Sequence, residues 1–374
     1  MAAGAPASAD VIIVGGGIVG CASAYFLSKR GYKPLLVERC EVACAASGKA
    51  GGFLAREWGS GDTEVLHQKG FDLYEQLAKE LGLESFRRLP TLGVRDGGRA
   101  AQKEFPWVDK AASSLMDEVT AQVNPKEVTT RMMEAAVANG ASLLIGNVDG
   151  IRREGDRVTA VVVDGAEVAC DSVVFAMGPW SVLVERWLPE VRIPMTGVLS
   201  TSLVFEMPAP VSPPCVLFCD EDRYGCHLEV NPRLDSTVYV CGLGGSDCLD
   251  NAQIAALPPD EVKPHPKRVK AAWEALRSKT SVTGDVQPQA NACIRPCPDD
   301  AKPLIGKVLD NVVLACGHNC WGILWGPLTG QIVAELVAGE ESPVPLKGFR
   351  PDRFSKRLSK RGRHNKDEPV GEQW

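Results

Sequence analysis

Short, wholly apolar runs alternate along this chain with longer stretches whose apolar residues recur every three or four positions. The first run, Val11 to Val14, is apolar throughout, as expected of a strand buried on both faces of a parallel sheet. Gly15 to Gly20 follows and opens a helix to about Arg30, closed by Gly31. Leu35 to Val37 is a second buried strand ending at Glu38, so the chain begins with a βαβ unit. Leu66, Phe71, Tyr74, Leu77, Ala78 and Leu81 stand at helical spacing and predict a helix over 64–81. Asn124 is placed to cap a second helix, with Pro125 in its first turn and Glu127 completing a capping box. That helix should run to Asn139 and end at Gly140, before a strand at Ser142 to Ile145.

The pattern then changes. Arg157 to Val163, Asp164-Gly165 and Val168 to Cys170 read as a hairpin with a two-residue turn. Ser172 to Ala176 is a further apolar strand, leading into Met177-Gly178-Pro179-Trp180. Segments 196–206, 215–219, 223–230 and 236–242 predict successive strands of an antiparallel sheet. The second half of 260–279, after Pro266, is helical. Val312 to Cys316 is one more buried strand, followed by a glycine-rich turn and a helix from about Pro327 to Ala338. Residues 85–120 give no clear pattern. The fold class is α/β with an α+β second domain, and the order of elements makes both domains discontinuous.

Composition narrows the classes. The 374 residues are 45% hydrophobic and 24% charged, which suits a globular chain with a sizeable core. The net charge of −6 is uneven: Lys347 to Lys366 carries about +8, leaving about −14 elsewhere. The body therefore has no attraction for nucleic acid, and none is expected as a partner. The basic tail reads as a solvated end, with an anionic membrane or partner as the alternative. No apolar run is long enough for an integral membrane segment, and the first ten residues lack a secretory pattern. A cytoplasmic or organellar, reducing location is expected rather than secretion. The thirteen cysteines fit buried or reduced thiols, since none forms a CxxC pair and few histidines stand nearby to mark a metal site.

Gly15, Gly17 and Gly20 form G-x-G-x-x-G directly between a strand and a helix. The first glycine allows a tight turn, the second close approach of a pyrophosphate, and the third close helix–strand packing. Glu38 lies 21 residues beyond Gly17, where a carboxylate accepts hydrogen bonds from ribose hydroxyls and repels a 2′-phosphate. This predicts a dinucleotide but does not separate FAD from NAD.

The far end of the chain separates them. Cys293-Ile294-Arg295-Pro296, Pro303-Leu304-Ile305-Gly306, Gly317-His318 and Trp321 to Gly330 resemble the D-amino acid oxidase family of flavoproteins, which includes glycine oxidase and sarcosine oxidase. The resemblance takes in the glycine cluster, the 45–52 turn, the loop 176–181 and Arg350 to Phe354, and the stretch Gly48 to Ala55 looks like a eukaryotic branch. It implies FAD, held by a Rossmann-like domain over 8–60, 121–190 and 296–345. A substrate domain would comprise 61–120 and 191–295, with 346–374 as a basic tail.

It further implies that Gly15, Gly17, Ile18 and Gly20 face the pyrophosphate, and that Glu38 and Arg39 lie at the adenosine ribose. Ser47, Gly48, Lys49, Ala50 and Gly51 would line the pyrophosphate and flavin side, Val148 would contact adenine through its backbone, and Gly178 would allow close approach. Gly317, Gly322, Ile323 and Thr329 would lie against the ring, with glycines at 317, 322 and 326 letting the backbone approach it. Gly326-Pro327 reads as the start of a helix whose free N–H groups could stabilise anionic flavin.

Arg295 stands at the position of the family's carboxylate-binding arginine; the plainer reading is a structural ion pair with Asp299 or Asp300. His318 and Trp321 could wall the pocket, and His318 could equally be a structural histidine. Tyr224 and Tyr239 could face the ligand or the core. Cys293, with Cys316 behind it, stands near the site of covalent flavin attachment in sarcosine-oxidase relatives, against a default of buried thiol. The expected reaction is oxidation of a small amino or imino acid, with oxygen or another electron acceptor. The alternatives are a 2-hydroxy acid oxidase and a flavin-holding interaction protein with little turnover.

Overall fold

In the computed structural model, which describes residues 6–95, 104–223 and 225–355, the chain forms two sheets. The first runs in the order Leu304–Leu309, Val312–Cys316, Ala166–Phe175, Ser8–Val14, Leu35–Glu38, Ser142–Ile145. Along this path the neighbours are parallel except for the first pair, and Val148–Glu154 and Arg157–Val163 join the same sheet antiparallel beside Ala166–Phe175. Val11 and Ile13 pack into one buried cluster, and Ile12 and Val14 into another on the opposite face. That two-sided burial is what the unbroken apolar run encodes.

The second sheet runs Asp247–Leu249, Met195–Glu206, Thr237–Leu243, Cys226–Pro232, Val216–Cys219, Arg87–Arg95, Ala112–Gln122, Phe53–Ala55, with Gln289–Pro298 paired antiparallel to Met195–Glu206. Only Val216–Cys219 with Arg87–Arg95 is parallel among its described pairs. The stretch 85–120, patternless in sequence, thus supplies parts of two strands that pair with each other.

The opening helix, Ile18–Lys29, is buried over Ile18 to Ser28. It packs against Pro125–Ala138 and against the last helix, Gly322–Ala338. Small residues permit this: a Cβ at Gly330 would come within 2.4 Å of Ala22 Cβ, and one at Gly326 within 2.8 Å of Ile18. The helix Glu64–Leu81 ends on Gly82 at φ +61°, which a glycine adopts without strain. The turn Asp164-Gly165 has positive φ at both residues, as a two-residue hairpin requires.

Three local expectations are corrected. Asn124 caps its helix through the N–H groups of Lys126 and Glu127, but Glu127 does not close a capping box. Its carboxylate instead accepts from the backbone N–H groups of Glu84 and Ser85, tying the helix to the preceding loop. Ser172 to Ala176 is no separate strand; it continues the hairpin arm as Ala166–Phe175. The last helix begins at Gly322, five residues before Pro327, which lies inside it. A proline there cannot donate to the Ile323 carbonyl. Tyr74 Oη, fully buried, donates to that carbonyl at 2.5 Å and fills the gap.

Tyr74→Phe should therefore leave the Ile323 carbonyl unsatisfied and cost about 1–3 kcal/mol. Urea unfolding of the FAD-bound protein measures this, and wild-type stability would show that the proline needs no such partner.

Candidate active site

At the end of Ser8–Val14 the backbone turns where no side chain fits. Gly15 has φ +109°, and a Cβ on it would come within 2.5 Å of the Ala176 carbonyl oxygen. A Cβ on Gly20 would lie 1.9 Å from the Gly15 oxygen. Glu38 is buried, accepting the Gly16 N–H at 2.6 Å on one carboxylate oxygen and the Cys40 N–H at 3.0 Å on the other. Ser47 Oγ accepts the Ile18 N–H at 2.9 Å. The glycine turn, the strand tip and the 45–52 segment are thereby locked together.

Two adjoining spaces open on this turn. A crevice of about 160 Å³ is lined by Gly15, Gly17, Glu38, Arg39 and Val148, among others. A cavity of about 370 Å³ lies beneath the antiparallel sheet and shares Gly17, Ala46, Ser47, Ala176, Gly178 and Pro179 with the crevice. Together they form one elongated space, with a carboxylate at one end, a helix N-terminus in the middle and a broad chamber at the other. That shape suits an extended dinucleotide whose phosphates sit at the turn.

The second sheet presents one polar face to the chamber. Ser200 and Ser202, His227 and Glu229, Tyr239 and Cys241, and Cys293 and Arg295 all line it. Their intervening neighbours Leu203, Leu228, Val230, Val238 and Val240 fill the core behind. Arg295 Nε donates to Ser200 Oγ at 2.8 Å, which fixes the plane of the guanidinium. The alternative ion pair with Asp300 is not formed, because Asp300 pairs with Arg353 at 2.8 Å. The 49–51 turn is held from the same sheet: Arg233 donates to the Ala50 and Gly51 carbonyls at 2.7 and 3.2 Å, and Tyr239 Oη to the Lys49 carbonyl at 3.0 Å.

His318 is buried at the chamber wall with Nε2 2.9 Å from Thr329 Oγ1, and burial pushes its imidazole down to about 3. It is neutral at physiological pH. Burial raises the thiols of Cys241 and Cys293 and the Tyr239 phenol, so these too are uncharged. Arg295 and Glu229 stand in the same lining, and burial raises the Glu229 carboxyl. Trp321 closes one side, its ring centroid 4.4 Å from that of His67 and 6.5 Å from that of Phe53.

Of the residues singled out from sequence, Gly15, Gly17, Ile18, Glu38, Arg39, Ser47, Ala50, Gly51, Val148, Gly178, Arg295, His318, Trp321, Gly322 and Ile323 line this space. Gly20, Gly48, Lys49, Gly317 and Thr329 are not part of the lining. Gly48 faces the Ala43 carbonyl, Gly317 faces Pro298, and Thr329 acts through His318. Gly326, expected to give the ring close access, packs on Ile18 of the opening helix instead. The N–H groups that end the helix toward the chamber belong to the turn at Gly322, not to Gly326-Pro327. Tyr224 and the tail 356–374 lie outside the described residues. Sequence reasoning passed over Glu229, Ser200 and Arg233, although period-two alternation already put Glu229 in register with His227.

Comparison with known proteins agrees with this geometry. The family model described as FAD dependent oxidoreductase matches residues 10–336. A Schizosaccharomyces pombe oxidoreductase is 26% identical over 88% of this chain and 94% of its own. Glycine oxidase of Pseudomonas aeruginosa is 26% identical over 92% of this chain and 99% of its own. Among solved structures, glycine oxidase from Geobacillus kaustophilus superposes with a TM-score of 0.80 at 20% identity, covering 93% of this chain and 99% of that one. L-Proline dehydrogenase from P. horikoshii also gives 0.80, at 18% identity, covering 94% and 98%. No helix among the described residues is long and apolar enough to cross a membrane. The chain belongs to the D-amino acid oxidase family of FAD-dependent oxidoreductases, and FAD is its cofactor.

Proposed function

We propose that this protein oxidises the C–N bond of a small amino or imino acid, with oxygen as electron acceptor. The observation that carries this reading is Arg295: one oriented guanidinium on the polar face of a chamber where Cys241, Cys293, Tyr239 and His318 are neutral. A planar guanidinium binds a carboxylate through two parallel hydrogen bonds and so fixes the direction of the neighbouring carbon. The names of its relatives, glycine oxidase and L-proline dehydrogenase, point to the same substrate class.

The chain's residues divide the work. The turn Gly15–Gly17 and the N-terminus of Ile18–Lys29 offer a pyrophosphate close approach and a positive dipole end. Glu38 braces that turn and would receive the ribose hydroxyls, and Val148, in the same crevice, would lie beside the adenine. FAD, when bound, supplies the hydride acceptor. The first turn of Gly322–Ala338 borders the chamber, and its N–H groups would favour negative charge on a ring held there. Arg295 holds the carboxylate. Neutral His318, braced by Thr329, adds polarity without charge, and Trp321 keeps water from that side. The first sheet would carry the cofactor and the second the substrate, with Phe53–Ala55 and the end of Gln289–Pro298 lying in the second sheet beyond the boundaries read from sequence.

Arg295→Ala should lower kcat/KM for an amino acid substrate by about 10²-fold or more, with FAD content unchanged. Steady-state kinetics with a screen of amino, imino and 2-hydroxy acids checks this, and unaltered kinetics would remove Arg295 from the site. Flavin bleaching by hydroxy acids alone would favour the other oxidase chemistry. No bleaching by any of them at full occupancy would favour a flavin-holding protein without turnover.

Glu38→Ala should lower the FAD-to-protein absorbance ratio, because it removes both the brace on Gly16 and the ribose acceptor. Full occupancy in this variant would contradict the assignment.

A further inference from the structure

The polar face of the second sheet carries a carboxyl that the carboxylate-binding role of Arg295 does not use. Glu229 lies on Cys226–Pro232 opposite Cys241 and lines the chamber. One of its oxygens accepts from Asn231 Nδ2 at 2.6 Å, and Cys241 Sγ stands 3.5 Å from the other. A carboxylate has about four acceptor positions, so this shell leaves capacity for a further donor. Few residues are costlier to place inside a protein, and such a group is retained where an opposite charge meets it.

Arg295 leans toward this carboxyl. Its Cα is opposite Val198, yet its Nε bonds Ser200, two residues farther along the strand in the direction of Leu203. Leu203 pairs with Val240, the neighbour of Cys241, which itself faces Glu229. Two strands, Met195–Glu206 and Thr237–Leu243, separate Arg295 from Glu229, so the chamber floor between the two charges belongs to serines, Tyr239 and Cys241. Burial raises the Glu229 carboxyl, while Arg295 and Arg233 pull it back toward ionisation. An ammonium arriving beside it would complete the ionised form.

We propose that Glu229 receives the substrate's ammonium group while Arg295 holds its carboxylate, making the chamber selective for amino acids in their zwitterionic form over the matching hydroxy acids. The proposal rests on the amino acid reading above and adds a specificity-determining residue to it. A hydroxyl in place of the ammonium offers one weak donor and no charge. The difference is that between a neutral and a charge-assisted hydrogen bond, which corresponds to roughly tenfold in affinity.

Three unreactive probes test it: 2-aminoisobutyrate, 2-hydroxyisobutyrate and isobutyrate, titrated into the FAD-bound protein and followed by the change in flavin absorbance. Wild type should bind the amino compound about tenfold more tightly than the other two. Glu229→Gln preserves volume and the Asn231 contact; it should erase that preference while leaving the hydroxy acid and isobutyrate affinities within about threefold. Glu229→Asp should retain part of the preference. Equal binding of the three probes by wild type, or an undiminished preference in Glu229→Gln, would overturn the role of Glu229 and leave the carboxylate role of Arg295 standing. Binding of none of the probes by wild type would overturn the amino acid reading and this inference with it.

Discussion

The fold depends on backbone meeting backbone where no side chain could stand. Gly15 against Ala176, Gly20 against Gly15, and Gly52, at φ +87° with a Cβ position 1.8 Å from the Val123 oxygen, are three such contacts. They bring the last residues of two neighbouring parallel strands, the head of the opening helix and the 45–52 turn to one point. A pyrophosphate needs this, because it is bound by backbone and helix dipole rather than by a countercharge. Glu38 then stiffens the arrangement from the adjacent strand, and Arg233 and Tyr239 fasten the turn from the opposite sheet. The cofactor space is a seam between two sheets, and each side contributes ties across it.

Much of the fold was legible because its signals are local. The apolar run at Val11–Val14, the helical spacing over 64–81, the Asn124-Pro125 helix start and the Asp164-Gly165 turn each state their structure within a few residues. What was missed depends on distant partners. Pro327 looks like a helix start, and only Tyr74, some 250 residues away, lets the helix run through it. The strand Gln289–Pro298 has mixed composition because Cys293 and Arg295 face the chamber, and Arg87–Arg95 because Arg88 turns outward to pair with Glu75.

The site followed the same division. The glycines, Glu38 and Arg295 were found through spacing and family resemblance. Glu229 was not, because a polar residue at every second position of a strand ordinarily marks a solvent face. Here that face is turned inward over the chamber, and the same alternation that packs Leu228 and Val230 into the core aims Glu229 into the chamber. Gly326 shows the converse error: a glycine read as giving the ring room gives room to Ile18 instead.

The chamber's electrostatics are spare. Burial holds the Cys241 and Cys293 thiols, the Tyr239 phenol and the His318 imidazole neutral, which leaves the Arg295 guanidinium and the Glu229 carboxyl on one sheet to set its field. That account has meaning only with the cofactor stretched along the seam. The visible absorbance spectrum of the purified protein, scaled to protein concentration, is the most direct test. It should show flavin bands at about one FAD per chain. A colourless preparation that gains no flavin on incubation with FAD would contradict the account at its root.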